Sequence, residues 1–245
     1  MTQFTTWGAV MDSAPFANMQ QLDNWGRNQI NVEVSPDGYG TTGQGMWYRF
    51  AARPNHCNDQ IVGQAKIPLP NGTKHVWAEF DVAFSANWTN VNANCASPAP
   101  DYKFFLAWFA ETVSCGHGRA EVKMGTTGSS VHASGAGFPA CDDVPVNPGG
   151  LLNGVPTYPP KTVRNPIARQ FFDGQPHHFR VYFGNEGDGQ WSVYVEIDGV
   201  VTHNYVTSTI SQELTFDYLM LGSNRNLGAT EDMYLHWRSM RVWAD

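Results

Sequence analysis

The sequence predicts an all-β sandwich, and three observations carry that prediction. Apolar and polar residues alternate with period two through most of the chain. Glycine and proline punctuate these alternating runs, as turns do between short strands. No stretch keeps an apolar period of 3.6 residues for more than about two helical turns. A chain of 245 residues is long enough for one large sandwich. No internal repeat or break in composition marks a second domain, so residues 1–245 are expected to form one. Residues 1–28 are read as an N-terminal docking arm, with Phe4, Trp7 and Phe16 as its aromatic anchors.

The predicted strands are Gln29–Val34, Met46–Ala51, Val76–Phe84, Tyr102–Phe109, Arg119–Met124, His177–Gly184, Gln190–Asp198, Val200–Val206, Phe216–Gly222 and Met233–Trp243. A short helix or turn is expected within "APFANMQQLDNW". In "VWAEFDVAF", Val76, Ala78, Phe80, Val82 and Phe84 share one side; Trp77, Glu79, Asp81 and Ala83 share the other. "RAEVKM" sorts Ala120, Val122 and Met124 from Arg119, Glu121 and Lys123. "HHFRVYF" puts Phe179, Val181 and Phe183 on the dry side, opposite His178, Arg180 and Tyr182. "QWSVYVEI" puts Trp191, Val193, Val195 and Ile197 there, opposite Ser192, Tyr194 and Glu196. Slipping any of these by one residue would expose the whole apolar stripe, so the stripes fix register. "YKFFLAWFA" is apolar on both sides and predicts a central strand covered on both faces. Its aromatics, with Trp77, are expected to line a covered groove.

Two connections are unusually long, residues 85–101 and 133–165. Structureless loops beyond ~12–15 residues usually serve as lids, binding loops or contact surfaces; a decorative insertion stapled by a disulfide is the plainer reading. The four cysteines, Cys57, Cys95, Cys115 and Cys141, all fall in Gly/Pro/Asn-rich segments. None forms a C-x-x-C pair or a zinc spacing with His56 or His117. Their placement points to two disulfides. Three pairings are open; Cys57–Cys95 with Cys115–Cys141 is favoured because each would staple neighbouring loops. Disulfides would place the working protein outside a reducing cytosol.

Only 15% of residues are charged, and the net charge is −7. A nucleic-acid binder would show a basic footprint, so that class is disfavoured. A polyanionic ligand would need a local basic face that overrules the total. The N-terminal stretch has neither the basic start nor the apolar run of a signal peptide, and no segment approaches the ~20 apolar residues of a membrane span. The expectation is a soluble protein on a virion surface or in the extracellular space without a classical leader, with no membrane partner, no metal and no cofactor.

Three stretches, "FDGQPHHFRVYF", "GQWSVYVEIDGVV" and the closing "MYLHWRSMRVWAD", resemble the concanavalin A-like lectin and glucanase superfamily, in particular its laminin-G-like jelly rolls. The resemblance covers the C-terminal third; the first 170 residues fit by strand pattern. It implies a two-sheet antiparallel jelly-roll sandwich with long loops, and sugars bound on a concave sheet or its rim. The fold hosts lectins, glycosidases, lyases and virion proteins, so function has to be read from residues.

Glucanases of this superfamily carry E-x-D-x-x-E on one strand. Glu79 and Asp81 match, but Phe84 stands where the second glutamate is needed. Retaining hydrolysis requires two carboxyl groups roughly 5 Å apart, so that mechanism is not expected. Legume lectins bind calcium through a similar E-F-D stretch, but the residues after Asp81 do not supply the other oxygen ligands. "EGDGQ", with Glu186 and Asp188, reads as turn chemistry. "RAEVK" is similar to the R-x-E-[L/V]-[R/K] strand of alginate-lyase-type enzymes, although their Q-I-H and Y-F-K-A-G motifs are absent. That similarity implies Arg119 as the group neutralising a uronate carboxylate, with His178 and Tyr182 as proton-transfer groups. The plainer reading is alternating charge on a solvated strand. Likewise His177 and His178 read most simply as strand-start rim residues. Asn71 and Asn87 open N-x-[ST] sequons, which matter only in a secretory eukaryotic setting.

The first functional reading is therefore a non-catalytic attachment or assembly protein on a phage virion surface, partnered by capsid or other virion proteins or by itself, with a polysaccharide as a further ligand. A polysaccharide lyase acting on uronate glycans is the alternative, and a soluble lectin the next. Across these readings the expected ligand-contacting residues are Trp77, Glu79, Asp81, Arg119, Glu121, Arg180, Tyr182 and Tyr194. Trp88 and Trp108 are further stacking candidates in the lectin reading.

Overall fold

The computed structural model describes residues 8–11, 20–21, 45–50, 52, 61–88, 101–113, 116–125, 128–134, 144–145, 151–152, 155–156, 172–188, 190–207, 214–225 and 230–245. No helix occurs among them. The strands are β1 (Gly8–Met11), β2 (Gln20–Gln21), β3 (Gly45–Phe50), β4 (Ile61–Thr73), β5 (His75–Phe84), β6 (Asp101–Val113), β7 (Gly116–Gly125) and β8 (Gly128–Ser134). After them come β9 (Val144–Pro145), β10 (Leu151–Leu152), β11 (Val155–Pro156), β12 (His177–Gly187), β13 (Gln190–Ile197), β14 (Val200–Thr207), β15 (Phe216–Arg225) and β16 (Met233–Ala244).

Two antiparallel seven-stranded sheets form the sandwich. Sheet I runs β1-β16-β5-β12-β13-β14, with β3 also paired to β16; sheet II runs β2-β4-β15-β6-β7-β8-β9. Their facing sides make one core. The alternating stripes read from sequence supply it: Val76, Phe80, Val82, Phe179, Val181, Val195 and Ile197 are all buried on that side. Phe80 of sheet I stacks on Phe105 of sheet II with centroids 5.2 Å apart. It also packs against Phe179 at 5.4 Å and Trp237 at 4.9 Å. Each such side chain stabilises the fold by roughly 1.5–3 kcal/mol when buried.

β6 is a central strand of sheet II, and residues 104–109 are all buried, as a strand apolar on both sides requires. A register shift between Lys103 and Phe105 lets Phe104 and Phe105 both enter the core, while Leu106 and Trp108 take the outer side.

Sequence patterning passed over β4 and β8. β4 contains Pro68 and Pro70, which normally argue against a strand. Its pairing to β2 involves only Ala65 and Lys66, and Pro68 sits opposite Tyr218 beside a register shift in β15. The prolines thus lie clear of the second ladder. β8, "GSSVHAS", has the composition of a loop but pairs with β7 from Gly125↔Gly128 to Arg119↔Ser134. Two pieces of the stretch read as a docking arm pair inside this chain: β1 beside β16 and β2 beside β4. Gln20–Gln21, placed in a short helix or turn by sequence, are those strand residues. The predicted strand Gln29–Val34 and all four cysteines lie outside the described residues, as does most of each long connection.

Candidate functional site

The outer side of sheet I carries most of the expected ligand-contacting residues. Cross-strand register fixes their rows: Trp77, Tyr182 and Tyr194 stand side by side on β5, β12 and β13. Glu79, Arg180 and Glu196 make the next row, and Asp81 with His178 the one after. Trp77 stacks on Tyr194 with centroids 5.7 Å apart and is tilted against Tyr182 at 6.4 Å. Arg180 donates from Nη1 to Glu196 at 2.9 Å, and its Nε lies 3.3 Å from Glu79. His178 Nδ1 is 2.9 Å from Asp81. The Tyr194 hydroxyl donates to Glu196; burial and that bond push its pKa up to about 12. Burial, then the bond its hydroxyl donates to Glu186 at 2.8 Å, also raise Tyr182 far above the ordinary tyrosine value.

In the Arg180 row, Glu79 and Glu196 do not meet as a pair of carboxyl groups. Glu79 and Glu196 lie two strands apart, and the Arg180 guanidinium occupies the space between their carboxylates. Phe84 belongs to the core side of β5. A glutamate at that position would therefore point away from Glu79 and Asp81, not complete an acid pair with them.

The outer side of sheet II is built differently. Lys66 on β4, Tyr218 on β15, Trp108 on β6 and Arg119 on β7 follow one another across four adjacent strands. Tyr218 and Trp108 are nearly parallel, 18° apart, with centroids at 5.9 Å. Lys66 Nζ lies 3.9 Å from the Tyr218 ring centre, and the Arg119 guanidinium 5.2 Å from that of Trp108. The result is an aromatic pair capped by a cation at each end, an arrangement that the ring quadrupoles favour. Beside it, Leu106 and Met220 are buried. Glu121, fully buried, accepts a hydrogen bond from Arg119 Nε. Burial raises the Tyr218 pKa, Asp217 adds to the rise, and Arg119 opposes it. Lys103 and Lys123 are register partners further along β6 and β7, and His132 of β8 is the register partner of Glu121.

The expected residues are therefore split between opposite outer sides of the sandwich. Trp77, Glu79, Asp81, Arg180, Tyr182 and Tyr194 share sheet I; Arg119 and Glu121 belong to sheet II. The trio Arg119, His178 and Tyr182 does not converge, because both sheets' cores lie between β7 and β12. For the same reason Trp77 shares no groove with the aromatics of β6. Trp88 is fully buried, edge-on to Phe84 at 5.0 Å, so it is a core residue and not a stacking platform. Asn87, half-buried, donates to Glu231 and to the Asp232 carbonyl, both at 3.0 Å; Asn71 is exposed. No group of three or more metal-ligating side chains comes together among the described residues. Sequence reading missed Tyr218 and Lys66. A register shift between Phe216 and Tyr218 breaks the alternation that would have shown Tyr218 facing out, and Lys66 sits beside the prolines of β4.

Solved structures match this architecture along nearly all of its length. An endo-β-1,4-glucuronan lyase from Trichoderma reesei aligns with a TM-score of 0.62 at 10% identity, over 96% of this chain and 94% of that one. The fold is a concanavalin A-like jelly roll. A β-glucanase from Bacillus licheniformis aligns with this jelly roll at a TM-score of 0.51 and 15% identity, over 98% of this chain and 100% of that one. An alginate lyase in complex with an alginate trisaccharide aligns at 0.51 and 11% identity, over 93% and 98%. No family model and no curated protein matches the sequence. The jelly-roll neighbours thus include carbohydrate-active enzymes of both hydrolytic and eliminating kinds.

Proposed function

We propose that this jelly roll binds an acidic, uronate-containing polysaccharide on the outer side of sheet II. The observation that carries the reading is the row Tyr218–Trp108–Arg119, with the Lys66 ammonium reaching the Tyr218 ring from the next row, where Lys66 pairs with Met220. It offers cations for the carboxylates that such sugars bear, held in place over the faces of a packed aromatic pair. On the outer side of sheet I, Arg180 is already engaged by Glu79 and Glu196, and Arg241 and Arg238 of β16 are the register partners of Glu79 and Asp81. The aligned lyases are named for glucuronan and alginate, both acidic polymers, which supports the same substrate class.

Binding without cleavage is the first reading, since the cations and the packed aromatic pair account for recognition of an acidic glycan without any proton transfer. β-Elimination is the second reading. In it Arg119 neutralises the uronate carboxylate and Tyr218, one strand beyond Trp108, handles the proton. The four cysteines, paired as two disulfides, would fit work outside a reducing cytosol, such as at a virion surface.

Calorimetry with polyglucuronate, alginate and a neutral β-glucan tests the proposal. Retained binding to the acidic polymers only, weakened about tenfold in Arg119→Ala, is the expected result. Equal binding to the neutral glucan, or none to any polymer, would refute it. Ultraviolet absorbance from an unsaturated product, lost in Tyr218→Phe, would promote the lyase reading.

A further inference from the structure

We infer that the cation-capped row measures ligand length, so that its partner is an oligomer with two acidic groups and not a single uronate. The inference rests on the proposed acidic-glycan reading and names the unit that the site recognises. Lys66 and Arg119 stand on strands separated by β15 and β6, which is three inter-strand steps. At ~4.8 Å per step, and with Lys66 two residues along from the row of Arg119, their backbones are about 16 Å apart. One uronate has one carboxylate and can meet only one of the two cations. A chain laid across the strands can meet both, since Tyr218 and Trp108 fill the span between them.

The two cations are not equivalent. Arg119 is held by the buried carboxylate of Glu121 and has a side chain only 16% exposed. Lys66 is 26% exposed, and the Asp217 carboxylate, 3.9 Å away, is half exposed. Arg119 is the fixed end and offers a planar guanidinium suited to a carboxylate; Lys66 is a flexible point charge. The ligand should be anchored at Arg119 and gain its second contact only when long enough to reach β4. Tyr218 is the spacer, since its ring face holds the Lys66 ammonium near the sheet.

The test is calorimetry with glucuronate oligomers from two to six sugars, at low and at high salt, on the wild type, Lys66→Gln and Lys66→Arg. The wild type should show a step in affinity at one chain length, and high salt should flatten it. Lys66→Gln should abolish the step, so that the longer oligomers bind about fivefold more weakly than to wild type. Lys66→Arg should restore it. Unchanged melting temperatures would exclude misfolding as the cause. Binding that grows smoothly with length, or a step that survives Lys66→Gln, would overturn the inference while leaving acidic-glycan binding intact. No binding by any oligomer would overturn both.

Discussion

The ring of Tyr182 lies along its own strand, so that its hydroxyl covers Gly184 and fills the space a Cβ would need there. This glycine is required by the neighbouring phenol and not by its backbone angle, since it is absent from the positive-φ residues. The arrangement lets Tyr182 reach Glu186 four residues on, and sets it nearly parallel to His75 at 6.4 Å.

Gly184→Ala should therefore force Tyr182 out of this position. Overpacking of this kind typically costs about 1–3 kcal/mol. Urea denaturation should show the loss, and the same substitution in a Tyr182→Ala background should cost much less. A similar cost in both backgrounds would show that the two residues do not oppose each other.

Phe80 is the hinge of the core, meeting Phe105 of the other sheet as well as Phe179 and Trp237 of its own. Phe80→Ala should lower stability by about 3–5 kcal/mol. Denaturant titration with tryptophan fluorescence reads this directly. A loss below 1 kcal/mol would mean that the sheets do not pack through this ring.

Arg180 is the common partner of Glu79 and Glu196, and Glu196 is buried. Arg180→Ala leaves that carboxylate without its guanidinium, at a cost of about 1–3 kcal/mol at neutral pH. Arg180→Ala combined with Glu196→Gln should recover part of the loss, because a neutral amide is cheaper to bury. The comparison of single and double variants by thermal unfolding decides it.

His236 is half-buried, and burial lowers its pKa from the ordinary 6.5. The unfolded chain then takes up the proton first as pH falls. Stability at this group is full above about pH 6.5, declines as pH drops through that value, and levels off below the folded pKa. His236→Gln should flatten that part of the stability–pH curve. An unchanged curve would show that another group is responsible for acid sensitivity there.

Much of the sandwich was legible because burial writes itself into alternation. Val76, Ala78, Phe80 and Val82 could only be one face of one strand, and the hairpin joining β13 to β14 shows in "DG", where Asp198 and Gly199 both take positive φ. β4 was not legible, since its prolines are tolerated only through the partners that flank them. Tyr218 was hidden by a register shift, which is a property of two strands together and not of either sequence.

What the sequence alone determined is which side chains share a strand face, because a period of two is local geometry. It therefore placed Trp77, Glu79 and Asp81 together, and Arg119 with Glu121. Tertiary structure decided which strands adjoin and on which sheet. Those are long-range choices set by how two apolar faces close on one another, and they put Arg119 across the core from His178 and Tyr182. The same choices set it in one row with Trp108 and Tyr218, and bring the Lys66 ammonium over the Tyr218 ring.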